Sequence, residues 1–158
     1  MIELRDGFEG DVSRLFELDR VCFDAAIAYS RREFCWLLRS PETLCIVAED
    51  DGVLAGFAIA QEAVIRKSRG GHVVTIDVAS AFRRRGIGRL LMERIEERMR
   101  ASGAGWLRLE VAVNNSVASE FYRGIGFAAI GRIPNYYQGS VDAIVMEKTL
   151  AGSLTFIP

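Results

Sequence analysis

The stretch that decides the fold is Val74-Thr-Ile-Asp-Val-Ala-Ser-Ala-Phe-Arg-Arg-Arg-Gly-Ile-Gly88, which is followed directly by Arg89-Leu-Leu-Met-Glu-Arg-Ile95. A β-branched run leads into a short basic turn, and the turn opens into an amphipathic helix. The first amides of a helix lack intrahelical acceptors and carry the positive end of its dipole, so this order builds an anion site. Glycines let the backbone approach a ligand closely, and arginines add positive charge. The predicted site for a nucleotide-like pyrophosphate consists of Arg83, Arg84, Arg85, Gly86, Ile87 and Gly88.

Two common phosphate-binding motifs do not fit this turn. A Walker A loop needs Lys and then Ser or Thr after its second glycine, whereas Arg89 and Leu90 follow Gly88. A dinucleotide-binding fingerprint needs a third glycine where Leu91 stands. The remaining pattern, Arg83-x-x-Gly86-x-Gly88 after a predicted strand, resembles the coenzyme A-binding motif of the GCN5-related N-acetyltransferase (GNAT) family.

The second half of the chain extends this resemblance to nearly the whole sequence. Its motifs follow the order found in the N-terminal-amine branch of the family, the RimI-type ribosomal-protein alanine acetyltransferases. They are Leu109-Glu-Val-Ala-Val-Asn-Asn115, Ala118-x-x-Phe121-Tyr122-x-x-x-Gly126-Phe127, Asn135-Tyr-Tyr137 and Asp142-Ala143-x-x-Met146. The resemblance implies one α/β domain, with a mixed, mostly antiparallel sheet of about six to seven strands and about four helices. It also implies that the sheet is splayed between the fourth and fifth strands.

Roles for individual residues follow from the resemblance. Glu110 would be the catalytic carboxylate and Tyr122 the catalytic tyrosine. Acetyl-CoA, released as coenzyme A, would bind the basic turn together with Ile76, Asp77, Val78 and Asn115. The substrate would contact Asp24, Tyr29, Tyr136 and Tyr137. Asp77 departs from the family pattern, in which this position is more often small or apolar.

The residues themselves are compatible with this chemistry. In a strand that begins at Trp106, alternation places Glu110 off the most apolar face, near the carboxyl end. An α-amine has an ordinary pKa of about 7.7 to 8.0 and must lose a proton before it attacks. Burial that raises the pKa of Glu110 would let it take this proton through a water. Tyr122, with an ordinary pKa near 10, suits protonation of the leaving thiolate.

Each of these residue types also has a structural explanation. Tyr122 could be a core aromatic next to Phe121, and Asn115 could cap a helix. The arginines could form a solvated loop, and the paired tyrosines could simply stack. His72 begins a predicted strand and is interpreted as structural rather than catalytic.

Local patterns place the elements around these motifs. Ser30-Arg-Arg-Glu33 is a capping box that predicts the start of a second helix. Residues 66–71 are predicted as an exposed turn, with a strand from His72 to Val78 and a helix from about Gly88 to Ala101. Strands are also predicted over 127–133 and 143–150, with the paired tyrosines in the loop between them. The single domain would comprise an N-terminal helix and hairpin region (1–65), a cofactor-binding region (72–101) and a catalytic and substrate region (106–150).

Composition limits the possible classes of protein. The chain has 158 residues, half of them apolar, which suits one domain with a core. A net charge of −1 argues against a general nucleic-acid binder. The sequence has no bilayer-length apolar run and no start typical of a signal peptide, so a cytoplasmic location without membrane association is expected. Three cysteines and one histidine, with no Cys-x-x-Cys, predict reduced thiols and no metal site.

These observations together favour an acetyl-CoA-dependent N-acetyltransferase. Its substrate would be the N-terminal α-amine of a protein or peptide, acetylated by direct attack in a ternary complex. One alternative is a small-molecule amine or lysine acetyltransferase. Another is a non-catalytic acyl-CoA-binding or nucleic-acid-binding regulator with a basic surface that includes Arg66, Lys67 and Arg69. The sequence leaves open the oligomeric state and whether the tail 151–158 packs on the domain or reaches a partner.

Overall fold

The computed structural model describes residues 1–25 and 27–150. Strands are β1 Ile2–Asp6, β2 Thr43–Asp50, β3 Val53–Ile65, β4 Ser68–Val78, β5 Trp106–Ala112, β6 Ala128–Tyr137 and β7 Val141–Thr149. Helices are α1 Val12–Cys22, α2 Arg31–Arg39, α3 Ile87–Ala101 and α4 Ser116–Gly124. Single 3-10 turns cover Glu9–Asp11 and Ser80–Phe82. The tail 151–158 lies outside the described residues.

The seven strands among the described residues form one mixed sheet with the order β1-β2-β3-β4-β5-β7-β6. Pairing is antiparallel between β1 and β2, β2 and β3, β5 and β7, and β6 and β7. The β4–β5 pair is parallel, with Gly71 opposite Leu107 and His72 opposite Arg108. The predicted fold class, a mostly antiparallel mixed sheet with four helices, is confirmed. The splay between β4 and β5 stays a prediction.

The first of two compact units comprises Met1–Gln61 and Val73–Glu97. Its helix α2 begins at the predicted capping box, in which the Ser30 hydroxyl accepts from Glu33 N at 3.1 Å and the Glu33 carboxylate accepts from Ser30 N at 3.0 Å. Phe34, fully buried, packs edge-on against Phe57 of β3 and Tyr29, with ring centroids 5.9 Å apart in each pair. Burying such a side chain stabilises the fold by roughly 2–3 kcal/mol. These contacts hold α2 against the sheet.

The second unit comprises Glu62–His72 and, of the described residues, those from Arg98 to Leu150. Buried residues alternate along β5, with Leu107, Leu109 and Val111 on the apolar face, as the strand pattern predicts. The Trp106 indole donates to the Ser68 hydroxyl at 2.9 Å. A Cβ added at Gly70 would overlap this indole. Strands β4 and β5 therefore meet at a point where only glycine fits.

Two local predictions need correction. Strand β4 begins at Ser68 rather than His72, because Arg66 and Lys67 both adopt positive φ and form a tight two-residue turn. The paired tyrosines lie at the end of β6 rather than in a loop. Tyr137 pairs with Val141, so the β6–β7 turn contains only the residues between them.

Candidate active site

The predicted pyrophosphate loop lies in the first unit, immediately before α3. Helix α3 begins at Ile87, whose side chain is buried and anchors the first turn. Gly86 has a φ of +77°, a conformation that glycine adopts without strain, and a Cβ at this position would have no neighbour within 4 Å. There is therefore open space at Gly86, directly before the start of α3, where an anion bound at a helix terminus would lie.

Three exposed arginines border this helix start. Arg83 donates from Nε to the carbonyl oxygen of Val78 at 3.1 Å. Arg85 lies over the Phe82 ring, 5.2 Å from its centroid, and 4.0 Å from an Asp50 carboxylate oxygen. Guanidinium groups beside a helix N-terminus are suited to a diphosphate, and the predicted role of these residues in binding a pyrophosphate stays a prediction.

The strand segment Ile76, Asp77 and Val78 precedes the loop. Burial alternates along it, and the Asp77 side chain is only 1% exposed. A Cβ at Gly56 of β3 would lie 2.6 Å from the Asp77 carbonyl oxygen, so glycine permits the close approach of β3 there. The main-chain role predicted for this segment towards the cofactor stays a prediction.

The second unit brings Glu110 together with His72 and Tyr136. His72 Nε2 lies 2.7 Å from Glu110 Oε1, and the Tyr136 hydroxyl donates to the same oxygen at 3.3 Å. The Glu110 side chain is 18% exposed and that of His72 37% exposed. The carboxylate is thus mostly shielded, while both of its partners reach solvent.

The electrostatics of Glu110 differ from the sequence-based expectation. Burial raises its pKa, but hydrogen bonds and charge from His72, with the Tyr136 hydroxyl, outweigh burial and hold the pKa below the ordinary value of 4.5. Glu110 is therefore ionised at neutral pH and only accepts hydrogen bonds, so His72 donates through Nε2–H. The predicted rise in basicity at Glu110 is wrong because of the imidazole partner. Burial raises the pKa of Tyr136, and the neighbouring Glu110 carboxylate raises it further.

Tyr122 and Asn115 lie on the α4 segment of the same unit. Asn115 Oδ1 accepts from Ala118 N at 3.1 Å, so this side chain caps α4, and a cofactor contact through it stays a prediction. The half-buried Tyr122 ring packs edge-on against Phe121 and Phe127, with centroids 5.3 and 5.7 Å away. Aromatic packing fixes the position of this ring, and its role as an acid also stays a prediction.

The four residues predicted to contact substrate lie in pairs. Tyr136, 46% exposed, packs edge-on against Tyr137 with centroids 4.9 Å apart. In the first unit, Asp24 and Tyr29 both lie on the segment between α1 and α2. The Asp24 side chain is exposed, whereas the Tyr29 hydroxyl donates to Val74 O at 3.4 Å. Tyr29 therefore contributes to packing, and substrate contact remains a prediction for all four.

The sequence analysis interpreted His72 as a structural residue, but its contact with Glu110 makes it a candidate for function. Its contact with Glu110 depends on the parallel register that sets His72 opposite Arg108, two residues before Glu110 on the same face. No local pattern encodes a register between strands so far apart in sequence. The one available signal was that the chain contains a single histidine.

Comparison with known proteins identifies a family. The sequence model of the acetyltransferase (GNAT) family matches residues 12–127, more than half of the chain. The chain is 30% identical over 116 residues to the N-terminal acetyltransferase B complex catalytic subunit naa20 of Schizosaccharomyces pombe, covering 69% of this chain and 64% of that protein. It is 29% identical over 152 residues to an N-alpha-acetyltransferase of Sulfurisphaera tokodaii, covering 89% and 88%. The match thus spans slightly less than two thirds of the yeast protein.

Solved structures show the same fold. The ribosomal-protein-S18-alanine N-acetyltransferase of Escherichia coli superposes with a TM-score of 0.84 at 24% identity, covering 98% of this chain and 97% of that one. At this identity the likeness supports the fold rather than a shared substrate.

Proposed function

The chain belongs to the acetyltransferase (GNAT) family, and from this premise we propose that it transfers acetyl from acetyl-CoA to the N-terminal α-amine of a protein or peptide. The observation that carries the proposal is the contact between His72 and Glu110 at 2.7 Å, with Tyr136 on the same carboxylate oxygen. Amine acetylation requires a group that removes a proton from the substrate ammonium, and this cluster supplies one.

The cluster divides the work of deprotonation between two side chains. With Nε2–H donated to Glu110, neutral His72 carries its lone pair on Nδ1, which is the basic nitrogen. His72 accepts the proton from the substrate ammonium at Nδ1. The ionised Glu110 then stabilises the imidazolium and keeps the ring in this tautomer. Tyr136 holds the carboxylate from its exposed side.

Two further roles complete the proposal. When bound, acetyl-CoA supplies the acetyl group as a reactive thioester. The start of α3 and its flanking arginines hold the pyrophosphate through Gly86 and Gly88 amides and guanidinium charge. Tyr122 gives its phenolic proton to the departing sulfur, which favours a donor with an ordinary pKa near 10.

Proton affinity favours an α-amine over a lysine side chain. An α-ammonium, with an ordinary pKa of about 8, gives up its proton more readily than a lysine ammonium, at about 10.4, by roughly 3 kcal/mol. Relatives whose names describe N-terminal acetylation support the same choice.

A paired peptide library tests the proposal. Each sequence is made once with a free amino terminus and arginine in place of lysine, and once with a blocked amino terminus and lysine retained. Mass spectrometry then locates any acetyl group transferred from acetyl-CoA. Acetyl on free α-amines only, with loss of product in His72→Gln and Glu110→Gln, supports the proposal. Acetyl only on lysine, or none despite tight acetyl-CoA binding, contradicts it and favours a lysine or small-amine enzyme or a binding protein.

A further inference from the structure

Two aspartates with almost no solvent exposure meet inside the first unit. Asp19 lies on α1 and is 0% exposed, and Asp77 lies on β4 and is 1% exposed. Cys22 Sγ, three residues after Asp19, lies 3.7 Å from the carbonyl oxygen of Val78, the neighbour of Asp77, so α1 packs against β4 here. The Asp19 carboxyl raises the pKa of Asp77. The proposed reaction uses neither side chain, so the pair needs a separate explanation.

The hydrogen bonds around Asp19 and Asp77 leave one oxygen of each carboxyl group without a donor from the described residues. Asp77 Oδ1 accepts from the Thr75 hydroxyl at 2.7 Å, and Asp19 Oδ2 accepts from Tyr29 N at 2.7 Å. Among the described residues, no donor reaches the remaining buried oxygens, Asp19 Oδ1 and Asp77 Oδ2. Two ionised carboxylates only accept, so they would place two negative charges and two oxygens without a protein donor in a buried site.

We infer that Asp19 and Asp77 share one proton in the folded protein, and that this proton links helix α1 to strand β4. The proton resides on one carboxyl group and is donated to the other. It removes one of the two charges and supplies the missing donor, as in other pairs of adjacent buried carboxyl groups. Because Asp19 also accepts a hydrogen bond from the Tyr29 amide, the link extends from β4 to Tyr29, two residues before α2.

Among the described residues, the polar groups around the pair supply no competing cation. Burial raises the pKa of the Cys22 thiol on α1, and the negative charge of Asp77 raises it further. Arg83, from the loop after β4, donates to Val78 O at 3.1 Å and to Cys22 Sγ at 3.8 Å. Thr75 contributes a neutral hydroxyl.

The consequence is a link that weakens as pH rises. Burial and Asp19 raise the pKa of Asp77 well above its ordinary value of 3.8, and the Thr75 hydroxyl opposes them only in part. A folded-state pKa above the unfolded value means that the contribution to stability is complete below about pH 4. The contribution is lost as pH rises through the folded-state value, when both carboxyl groups become charged.

Nuclear magnetic resonance of the full chain labelled at aspartate Cγ tests the shared proton directly. We expect a Cγ signal, absent from Asp77→Asn, whose titration midpoint lies well above that of an ordinary aspartate, about 3.9. If both Asp19 and Asp77 titrate at or below the ordinary value, no proton is shared and the inference is overturned. This measurement uses the wild-type chain for its decisive titration, so it stands even if a variant folds poorly.

Asp77→Asn tests the pH-sensitive link. The amide can accept from Thr75 and donate to Asp19 without a titrating proton. Between pH 4 and the folded-state pKa, the wild-type unfolding equilibrium constant should rise relative to that of the variant by up to about tenfold per pH unit, the limit for one linked proton. The exposed Asp51→Asn serves as the control and should retain the wild-type slope. Equal slopes in wild type and Asp77→Asn would overturn the link.

Discussion

The two ends of helix α1 hold buried carboxyl groups under opposite electrostatic conditions. At its N-terminal end, Asp11 is 2% exposed and binds Arg5 at 2.8 Å and Arg14 at 3.1 Å. Towards its C-terminal end, Asp19 faces Asp77. Burial raises the pKa in both places, but the arginines hold the pKa of Asp11 at about 2, whereas Asp19 raises that of Asp77 further. The chemical identity of the partner, rather than burial, therefore decides the sign of the shift.

This difference gives the two ends opposite responses to pH. The folded-state pKa of Asp11 is depressed, so its stabilising contribution is present above its ordinary value of 3.8 and is lost as pH falls towards 2. The contribution of the Asp19–Asp77 pair is complete at low pH and is lost as pH rises. Glu110 provides a third case, because its partner is a histidine that can itself gain or lose a proton.

The largest expected effect concerns this third case and is catalytic. Glu110→Gln should lower kcat for a peptide substrate by about 10²- to 10³-fold, because the His72 imidazolium loses its counter-ion. Acetyl-CoA affinity, measured by calorimetry, should change little. Glu147→Gln is the matched control, since Glu147 accepts from Arg108 at 2.6 Å rather than from a histidine. A kcat within threefold of wild type for Glu110→Gln would remove the carboxylate from the mechanism.

The next largest effect is expected at the N-terminal end of α1, where a substitution of Asp11 removes its ion pairs with Arg5 and Arg14. Asp11→Asn should reduce the free energy of unfolding by about 2 kcal/mol at neutral pH, the equivalent of its pKa displacement from 3.8 to about 2. The difference from wild type should shrink as pH approaches 2, where wild-type Asp11 also becomes protonated. Urea denaturation across this pH range provides the measurement. A difference that stays constant with pH would assign the loss to packing instead of charge.

A smaller effect is expected near the C-terminal end of α1, where Asp19 faces Asp77. Thr75→Val keeps the side-chain shape but removes the hydroxyl that donates to Asp77, which should cost about 1 kcal/mol. Because this hydroxyl lowers the pKa of Asp77, its loss should raise that pKa further, and the cost should grow with pH. Denaturation at several pH values tests this, with Thr43→Val as the control. A cost that falls as pH rises would contradict the assignment.

The smallest expected effect concerns a solvent-exposed ion pair, which serves as a reference for the buried carboxyl groups at the two ends of α1. Arg39 and Glu9 form an ion pair at 3.0 Å, with side chains 66% and 54% exposed. Arg39→Gln should leave the free energy of unfolding almost unchanged, and added salt should erase any change. Thermal unfolding at low and high ionic strength is sufficient to measure it. A loss comparable to that of Asp11→Asn would show that burial is not what makes the Asp11 pairs strong.

Sequence reasoning succeeded where the determinants are local. The capping box at Ser30, the helix after the glycine turn and the alternation along β5 each depend on neighbours within one element. The His72–Glu110 contact joins residues 38 positions apart, and its parallel register is fixed by tertiary packing. The Asp19–Asp77 pair is equally hidden, because an aspartate on an amphipathic helix and one in a β-branched strand each look solvent-facing until the two elements pack.

The contact between Gly70 and Trp106 bears on how this sequence can change over generations. A side chain at position 70 would displace β4 at the register that places His72 beside Glu110, although neither Gly70 nor Trp106 takes part in the chemistry. A side chain at position 70 therefore fits this register only where residue 106 is smaller than tryptophan. The two positions should covary among descendants of this chain, leaving a record of selection on the active-site geometry at a distance from it.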